Sequence, residues 1–286
     1  MVEHKLEMAK ALVVIKDGEI MVQSDPKVRR CPLRSDIYGC QEENAETVKK
    51  VLQKHMNELG MYGTNRILDA HEVAVSFGAS EIINNAMVEG LVDAAVVVCE
   101  GAGTVVVDRP EVLQAIGAHM TGLLSTEPIR EIQDGLKKRG CVLLDDSCTI
   151  NQFEGFKKAV ESGFLKIAVT IDGQGAFEAT RIKAISKDSM RQPIILAVHT
   201  TGISEDEALA LANNCDIVWA CASKAVRDVV GKRAKLQIGV SIPVFALTFE
   251  GKRLILNRAL HFEDGLVIRR GVLPYLPKDK QPEPLI

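Results

Sequence analysis

Aromatic residues are scarce in this sequence, since Phe, Trp and Tyr make up 4% of its 286 residues. Proteins that bind single-stranded nucleic acid stack the bases on aromatic side chains, so this composition argues against that class. The formal net charge is −3 at pH 7, and neither half of the chain contains a long basic run. Because phosphate binding needs a positive surface, we expect no nucleic acid among the partners.

Long apolar runs are also lacking, both at the N-terminus and along the rest of the chain. We therefore expect no signal peptide, no membrane-spanning helix and no membrane partner, and we assign the protein to the cytoplasm. Apolar residues still make up 47% of the chain and charged residues 26%. This is the mixture of a folded globular protein with one large or two modest domains.

The sequence has no C-x-x-C pair, and its number of cysteines is odd. The seven are Cys31, Cys40, Cys99, Cys141, Cys148, Cys215 and Cys221. An odd number in a chain without a secretory signal argues against a disulfide framework. We interpret them as thiols, some of them buried as small apolar residues and others available as ligands or nucleophiles.

The N-terminal part combines strand, loop and helix patterns. Residues 12–24 alternate about Lys-Asp-Gly, which predicts a β-hairpin. The loop RRCPLRSDIYGC follows at residues 29–40. Apolar residues at helical spacing then predict an amphipathic helix that begins at an Asn44 cap and ends at Gly60.

From residue 79 onward, helix and strand patterns alternate. The predicted strands are 93–98, 141–145, 166–171, 193–198, 215–220 and 236–240. The predicted helices lie near 79–91, 110–119, 127–139, 151–162, 176–187, 204–213 and 223–233. Strands that are apolar on both faces and alternate with helices predict an α/β fold, with a layered, mostly parallel sheet of about six strands and helices on both faces.

The C-terminal part is predicted to begin with a second hairpin, formed by two apolar runs about Phe-Glu-Gly-Lys within residues 244–257. A small hairpin would then lie near each terminus. The tail 274–286 is rich in proline, and we expect it to be frayed or docked on a partner. The predicted domains are 1–78 (hairpin, cysteine and arginine loop, helix), 79–262 (α/β body) and 263–286 (C-terminal extension).

Polar and titratable residues gather where the predicted strands end. In open α/β sheets, ligands bind outside the carboxyl ends of the strands, because loops and helix N-termini converge there. Turn and cap chemistry explains the Gly, Asp, Ser and Thr residues at these ends. Turn and cap chemistry does not explain five further residues at these ends, which are Cys99, Cys148, His199, Cys221 and Lys224. We therefore predict a ligand site at this edge, with Glu100 in its lining.

Residue types in these loops suggest roles. The candidate catalytic residues are Cys221, His199, Asp145 and Asp172, with Cys221 as thiolate or ligand, His199 as base or ligand, and the acids as proton carriers or magnesium partners. The candidate cofactor-binding residues are Gly101, Gly103, Thr200, Thr201, Lys224, Arg30 and Arg34, in which the cations would clamp an anion. A buried imidazole that is hydrogen-bonded to a turn is an equally good interpretation of His199.

Glycines and cysteines of these loops bear on two cofactor classes, dinucleotides and thiolate-bound metals. Gly101 and Gly103 lack the third glycine of a dinucleotide fingerprint, because Val106 occupies its place in a β-prone run. A tight turn in which the backbone passes close to a neighbour explains these glycines equally well. An iron–sulfur cluster or other thiolate-bound metal would have Cys31, Cys40, Cys99 and Cys148 as ligands, although the spacing of Cys31 and Cys40 matches no familiar metal pattern.

Three segments carry a resemblance to a known family. Residues 31–40 (CPLRSDIYGC), 99–129 (beginning CEGAGTVVVD) and 199–228 (beginning HTTGISEDEA) resemble the archaeal family called methanogenesis marker protein 8. The resemblance implies a cytoplasmic protein of methanogenic archaea, found alongside the methane-forming machinery. By analogy, it suggests making, loading or repairing a nickel, cobalt, iron or thiol cofactor. The family has no assigned catalytic residues to transfer.

Three functions follow from these observations. The leading hypothesis is an enzyme or maturation factor that handles an anionic cofactor or small molecule at the carboxyl edge of the sheet. The alternatives are a non-catalytic protein that binds components of the methanogenic apparatus and a nicotinamide-dependent oxidoreductase. We also expect a homo-oligomer. The loop with Arg29, Arg30, Cys31, Arg34 and Cys40 is either an ordinary surface loop or a lid over the strand ends that hold Cys99 and Cys221.

Overall fold

The structure is a computed structural model that describes residues 2–117, 122–186 and 191–286. Its smaller sheet is antiparallel. The strands, in the order β3-β2-β1-β6, are β1 (Glu3–Met8), β2 (Ala11–Lys16), β3 (Glu19–Val22) and β6 (Gly122–Thr126). The predicted N-terminal hairpin is confirmed as β2 and β3.

Two helices follow the hairpin, α1 (Pro32–Tyr38) and α2 (Ala45–Leu59). Helix α2 begins and ends where the sequence predicts, because the Asn44 side chain accepts a hydrogen bond from the Thr47 N–H and Gly60 adopts a left-handed conformation. Val48 and Leu52 of this helix are buried against apolar side chains of the small sheet. The small sheet and α2 therefore share one apolar cluster.

The larger sheet has eight strands of mixed direction. In the order β11-β12-β10-β9-β8-β4-β5-β7, they are β4 (Ala94–Cys99), β5 (Gly103–Val107), β7 (Val142–Leu143), β8 (Lys166–Asp172), β9 (Gln192–Val198), β10 (Ile217–Trp219), β11 (Leu236–Ile238) and β12 (Val244–Ala246). The four central strands run parallel. They are flanked by β5 and β12, which run in the opposite direction, and the outermost strands β7 and β11 pair antiparallel with these two. The carboxyl ends of β4, β8, β9 and β10 therefore meet at one edge.

Helices cover both faces of the large sheet. They are α3 (Ala79–Val88), α4 (Pro110–Gly117), α5 (Arg130–Lys138), α6 (Gln152–Glu161), α7 (Ala176–Ser186), α8 (Glu205–Asn214) and α9 (Phe249–Leu260), with a π-helical turn (Val226–Val230) and two 3₁₀ turns (Gly231–Arg233, Lys278–Lys280). Apolar residues of α3, α4, α5 and α9 form one core cluster, and those of α6, α7 and α8 form another. The α/β class with helices on both faces is confirmed.

The predicted sheet was wrong in strand number and direction. The sequence reading missed β5 as a sheet strand, because β5 follows β4 through a tight turn rather than a helix. It also missed the antiparallel pairing of β12, which is only three residues long. The predicted strand 141–145 contributes only the two residues of β7. Residues 118–119 and 187, the last in two predicted helices, lie outside the described residues.

The predicted C-terminal hairpin was also wrong. Only β12 is a strand, and the second apolar run forms helix α9. The Thr248 side chain caps this helix by accepting a hydrogen bond from the Gly251 N–H, and Leu254 and Ile255 are buried. The run LILN reads as β-prone in isolation, but its burial follows helical spacing.

The tail is hydrogen-bonded to the chain itself rather than frayed. Glu283 pairs with Arg30 in an antiparallel bridge, and Ile286 exchanges backbone hydrogen bonds with Ala222 and Lys224. The predicted domain boundaries remain a prediction, although β6 from the middle of the chain pairs with β1. Among the described residues, no helix combines the length and the apolar character needed to cross a membrane.

Candidate functional site

A cavity of about 470 Å³ lies at the carboxyl ends of the four parallel strands. The ends of these strands and the loops that follow contribute Glu100, Asp172, His199 and Cys221 to its lining. The wall also includes Glu7 of β1, Lys10 of the β1–β2 turn, and Cys31 and Arg34 at the start of α1. Its volume falls in the range of pockets that hold cofactor-sized ligands, which is about 300–1,000 Å³.

Backbone strain is concentrated around this cavity. Seven non-glycine residues of the described chain have φ in the left-handed region. Five of them line the cavity, namely Ala9, Lys10, Tyr62, His199 and Cys221. Such a conformation costs a non-glycine residue about 1–3 kcal/mol and persists only where the surroundings enforce it. Ala9 and Lys10 form the two-residue turn between β1 and β2, which accounts for their conformation. Tyr62, His199 and Cys221 are not in such a turn, and they support a functional interpretation of the cavity.

The loops that hold His199 and Cys221 are bonded to each other. The Thr200 hydroxyl donates to the carbonyl of Trp219 at 2.6 Å, and the Ala222 N–H donates to the Thr201 hydroxyl at 3.2 Å. Thr200 is fully buried behind the cavity, whereas Thr201 lines it. These cross-links between the ends of β9 and β10 hold the imidazole and the thiol at neighbouring positions.

The environment of Cys221 acts on its thiol in two directions. Burial raises the pKa of Cys221, while the Thr200 N–H and hydroxyl groups and the Arg227 guanidinium lower it. Burial prevails, so Cys221 is a thiol at neutral pH. The nearby cation and donors nevertheless favour the thiolate whenever the proton leaves.

His199 faces a carboxyl-rich part of the cavity. Burial lowers the pKa of His199, and the charges of Asp172 and Glu7 act in the opposite direction. The imidazole is therefore neutral at neutral pH and able to accept a proton. Asp172 accepts a hydrogen bond from the Gly175 N–H at 2.6 Å. Burial and the charge of Asp172 raise the pKa of Glu178, which also lines the cavity.

Two buried arginines are paired with glutamates next to the cavity. Arg34 donates to both carboxylate oxygens of Glu43, at 2.5 and 3.0 Å. Its Nη1 atom has no hydrogen-bond partner among the described residues, although the side chain is buried and lines the cavity. Arg66 donates to Glu100 at 2.5 Å and to the carbonyl of Ala115 at 2.7 Å. Arg34 therefore retains a free donor, which a buried arginine rarely leaves unused.

The cavity brings together about half of the predicted site residues. Those in its lining are Cys221, His199, Asp172, Thr201, Arg34, Cys31 and Glu100. Lys224 is an exposed partner of Asp228, and Arg30 donates to the tail carbonyls of Asp279 and Gln281. Asp145 accepts hydrogen bonds from its own turn at Ser147. No described contact connects these three to the cavity.

Gly101 and Gly103 belong to the turn between β4 and β5. Both have positive φ, and a Cβ atom at Gly103 would overlap the backbone of Cys148. A Cβ atom at Gly101 would press on the Ile129 side chain. The glycines therefore permit close backbone packing. A strand, not a helix, follows them, so they do not form the dinucleotide loop geometry.

The predicted metal ligands are dispersed. Cys40 is buried in the apolar cluster of the small sheet, and Cys99 is buried in the core cluster that includes residues of α3, α4, α5 and α9. Cys148 accepts a hydrogen bond from Gln133 at 3.3 Å. Within the part of the chain that the structure describes, no three His, Cys, Asp or Glu side chains are grouped closely enough to hold a metal ion. These thiols pack as small apolar groups.

The loop that was predicted as either a lid or an ordinary surface loop contributes one of its two cysteines to the cavity, and the lid itself stays a prediction. Cys31 and Cys221 line the same cavity, whereas Cys40 and Cys99 do not. Sequence reasoning missed lining residues that come from other parts of the chain, including Lys10, Tyr62, Glu81 and Glu178. Glu81 accepts hydrogen bonds from the Ala74 and Val75 N–H groups. No local sequence pattern marks these positions, because their meeting depends on tertiary packing.

Comparisons with known proteins agree with an archaeal origin. Residues 4–260 match the model of a family described as "Uncharacterized protein conserved in archaea (DUF2099)". The chain is 36% identical over 285 residues to "Uncharacterized protein MJ0054" of Methanocaldococcus jannaschii, covering 99% of each chain. No solved structure matches. The chain therefore belongs to the archaeal family DUF2099.

Proposed function

We propose that the protein is an enzyme or maturation factor that binds a cofactor-sized small molecule in the cavity at the strand ends. The observation that carries this proposal is the meeting of Cys221, His199 and Asp172 in one cavity with enforced backbone strain. A thiol, a neutral imidazole and a carboxylate are the groups that nucleophilic and proton-transfer chemistry uses. A purely structural cavity would have no need of them.

The lining indicates the chemistry of the ligand. Many of its side chains are apolar, such as Ile83, Val97, Val198 and Trp219, so the body of the ligand would be largely apolar. Charged groups in the lining comprise five carboxyl residues and two cations: Glu7, Glu81, Glu100, Asp172 and Glu178, with Lys10 and Arg34.

This charge balance limits how much negative charge the ligand would carry. Lys10 is already paired with Glu7 at 3.1 Å and Arg34 with Glu43 at 2.5 and 3.0 Å, so neither cation is left to neutralise a highly charged ligand. A ligand with one anionic group is compatible with the cavity, whereas a polyanion would meet repulsion from Asp172 and Glu178. The predicted anionic ligand is therefore narrowed to one with a single charged end.

The cellular setting is part of the proposal. The resemblance to methanogenesis marker protein 8 is the ground on which we propose a cytoplasmic role alongside the methane-forming machinery. A small molecule that such a protein would handle is a cofactor of that machinery or its precursor. The protein's part would be to modify, load or repair it.

Blocking the cavity tests the proposal. Leu124 lines the cavity and is 41% exposed, whereas Leu12 is 40% exposed on the same small sheet and is not among the lining residues. Leu124→Trp should narrow the cavity, and Leu12→Trp should serve as a matched control. Both variants and the wild type would be purified anaerobically and examined by native mass spectrometry and elemental analysis.

The proposal predicts a bound small molecule in the wild type and the Leu12→Trp variant, and its loss from the Leu124→Trp variant. Equal ligand content in all three proteins would contradict it. Recovery of a stoichiometric protein partner with no bound small molecule would favour the interaction-protein alternative. A nicotinamide found in the cavity would instead support the oxidoreductase alternative.

A further inference from the structure

Two of the seven cysteines differ from the rest. Cys31 and Cys221 are partly exposed, whereas the other five are buried. The two come from distant parts of the sequence, one from the loop before α1 and the other from the loop after β10. Both line the same cavity. The accessible thiols of this chain are therefore presented to one ligand space.

The tail connects the two thiol-bearing loops. Glu283 exchanges hydrogen bonds of 2.8 to 2.9 Å with the backbone of Arg29 and Arg30, next to Cys31. Ile286 forms two backbone hydrogen bonds of 2.9 Å, with Ala222 and Lys224 beside Cys221. Three residues of extended chain span at most about 10 Å, so one short segment joins both loops. The tail therefore connects the loop that carries Cys31 to the loop that carries Cys221.

A buried cation, Arg227, interacts electrostatically with both thiols. Arg227 is buried, and its four hydrogen-bond acceptors are the carbonyls of Ala220, Ser223 and Ser241 and the Gln281 amide oxygen. All four acceptors are uncharged, so none of them neutralises the guanidinium. Burial lowers the pKa of Arg227 to about 10, and Cys221, Asp228 and Cys31 oppose this shift. A thiolate at either cysteine would supply the missing negative charge.

We infer that Cys31 and Cys221 form a dithiol that exchanges with a small disulfide bound in the cavity. This inference rests on the proposed function, since it names the ligand class of the same cavity. Two observations carry it: the two partly exposed thiols line one cavity, and one short tail segment is hydrogen-bonded to both of their loops.

The chemistry is balanced in two steps. In the first, the Cys221 sulfur attacks the small disulfide, the small S–S bond breaks, and one small thiol leaves with the proton from Cys221. In the second, the Cys31 sulfur attacks the mixed disulfide, and the second small thiol leaves with the proton from Cys31. The protein dithiol is oxidised and the small disulfide is reduced to two thiols. Return to the dithiol requires an external thiol or dithiol as reductant.

An anionic aromatic disulfide, dithiobis(nitrobenzoate), provides the test. Reduced, anaerobic full-length protein should release two coloured thiols per chain and retain none, and peptide mass spectrometry should identify a Cys31–Cys221 disulfide. The Cys31→Ser variant should release one thiol and retain a mixed disulfide on Cys221. Cys40→Ser is the matched control, since Cys40 lies in the same loop but is buried, and it should behave as the wild type.

The result that overturns the dithiol is a wild-type protein that keeps two separate mixed disulfides, or one that never forms the Cys31–Cys221 bond. Cys221→Ala provides a second variant if the serine variants fail to fold. A cavity ligand that the Leu124→Trp variant loses, together with absence of the disulfide, would refute this inference and leave the proposed function intact.

Discussion

The left-handed backbone at Cys221 gives a prediction whose magnitude can be worked out. Cys221 has φ +43°. An L-residue with a Cβ atom pays about 1–2 kcal/mol in that conformation. Glycine avoids this strain but costs about 0.5–1 kcal/mol more in backbone entropy on folding and loses a methyl group worth about 0.8 kcal/mol when buried. Cys221→Gly and Cys221→Ala both remove the sulfur and differ only in the Cβ atom. The gain and the losses nearly cancel, so the two variants should be equally stable to within about 0.5 kcal/mol.

The adjacent residue provides the control. Ala222 is close to fully buried, and its φ is not in the left-handed region. Ala222→Gly relieves no strain, loses a buried methyl group worth about 0.8 kcal/mol and pays the same entropy, so it should be destabilising by about 1.5 kcal/mol. Replacing alanine by glycine should thus be nearly neutral at position 221 and clearly destabilising at position 222.

Urea unfolding monitored by circular dichroism would measure both differences, with the slopes compared to exclude a changed unfolded state. If Cys221→Gly is less stable than Cys221→Ala by as much as Ala222→Gly is less stable than the wild type, residue 221 is not held in the left-handed conformation. The inference from strain to function would then fail.

Three further predictions concern other parts of the fold. Glu43→Gln leaves the buried Arg34 charge uncompensated and should cost about 3–5 kcal/mol of unfolding free energy. The control Glu58→Gln, at the exposed pair with Lys54, should cost less than about 0.5 kcal/mol. Equal losses of stability in urea unfolding would contradict the role assigned to the buried pair. Gly103→Ala should cost about 2–4 kcal/mol because its Cβ atom meets the Cys148 backbone, against about 1 kcal/mol for Gly140→Ala, which has positive φ and open space. The third concerns His55, whose pKa is lowered to about 4 by burial first and then by Arg34 and Arg66. Below pH 6.5 the unfolded chain binds the extra proton, so stability falls with falling pH, and between pH 7 and pH 4 the wild type should lose about 3 kcal/mol more than His55→Gln. If the unfolding free energies of the wild type and of His55→Gln change in parallel with pH, this prediction is wrong.

Local patterns were sufficient where each segment buries its own apolar face. Helix α2 follows from its spacing and the Asn44 cap, and helix α8 from the capping box of Ser204 and Glu207. Strands β8 and β9 follow from their continuous apolar runs. These signals are local because hydrogen bonds and burial within one element repeat with the period of that element.

Pairing across the sheet was beyond local patterns. The β4–β5 turn looks like the start of a strand-to-helix unit until the antiparallel register of Val97 with Val105 is known. The LILN run of α9 is equally apolar as a strand or as a helix. Its form is decided by the surface onto which Leu254 packs. Short apolar runs carry no information about their neighbours, so tertiary contacts decide them.

The sequence by itself determined the α/β class, the absence of a dinucleotide fingerprint, and the edge at which Cys221, His199 and Asp172 meet, because parallel strands carry their following loops to one side. The tertiary structure alone decided which thiols share a cavity. Cys31 and Cys221 line one cavity and the tail bonds to both of their loops, while Cys40, nine positions after Cys31, is turned into the small-sheet core. Burial is a property of the packed surface around a residue, and sequence spacing does not encode it.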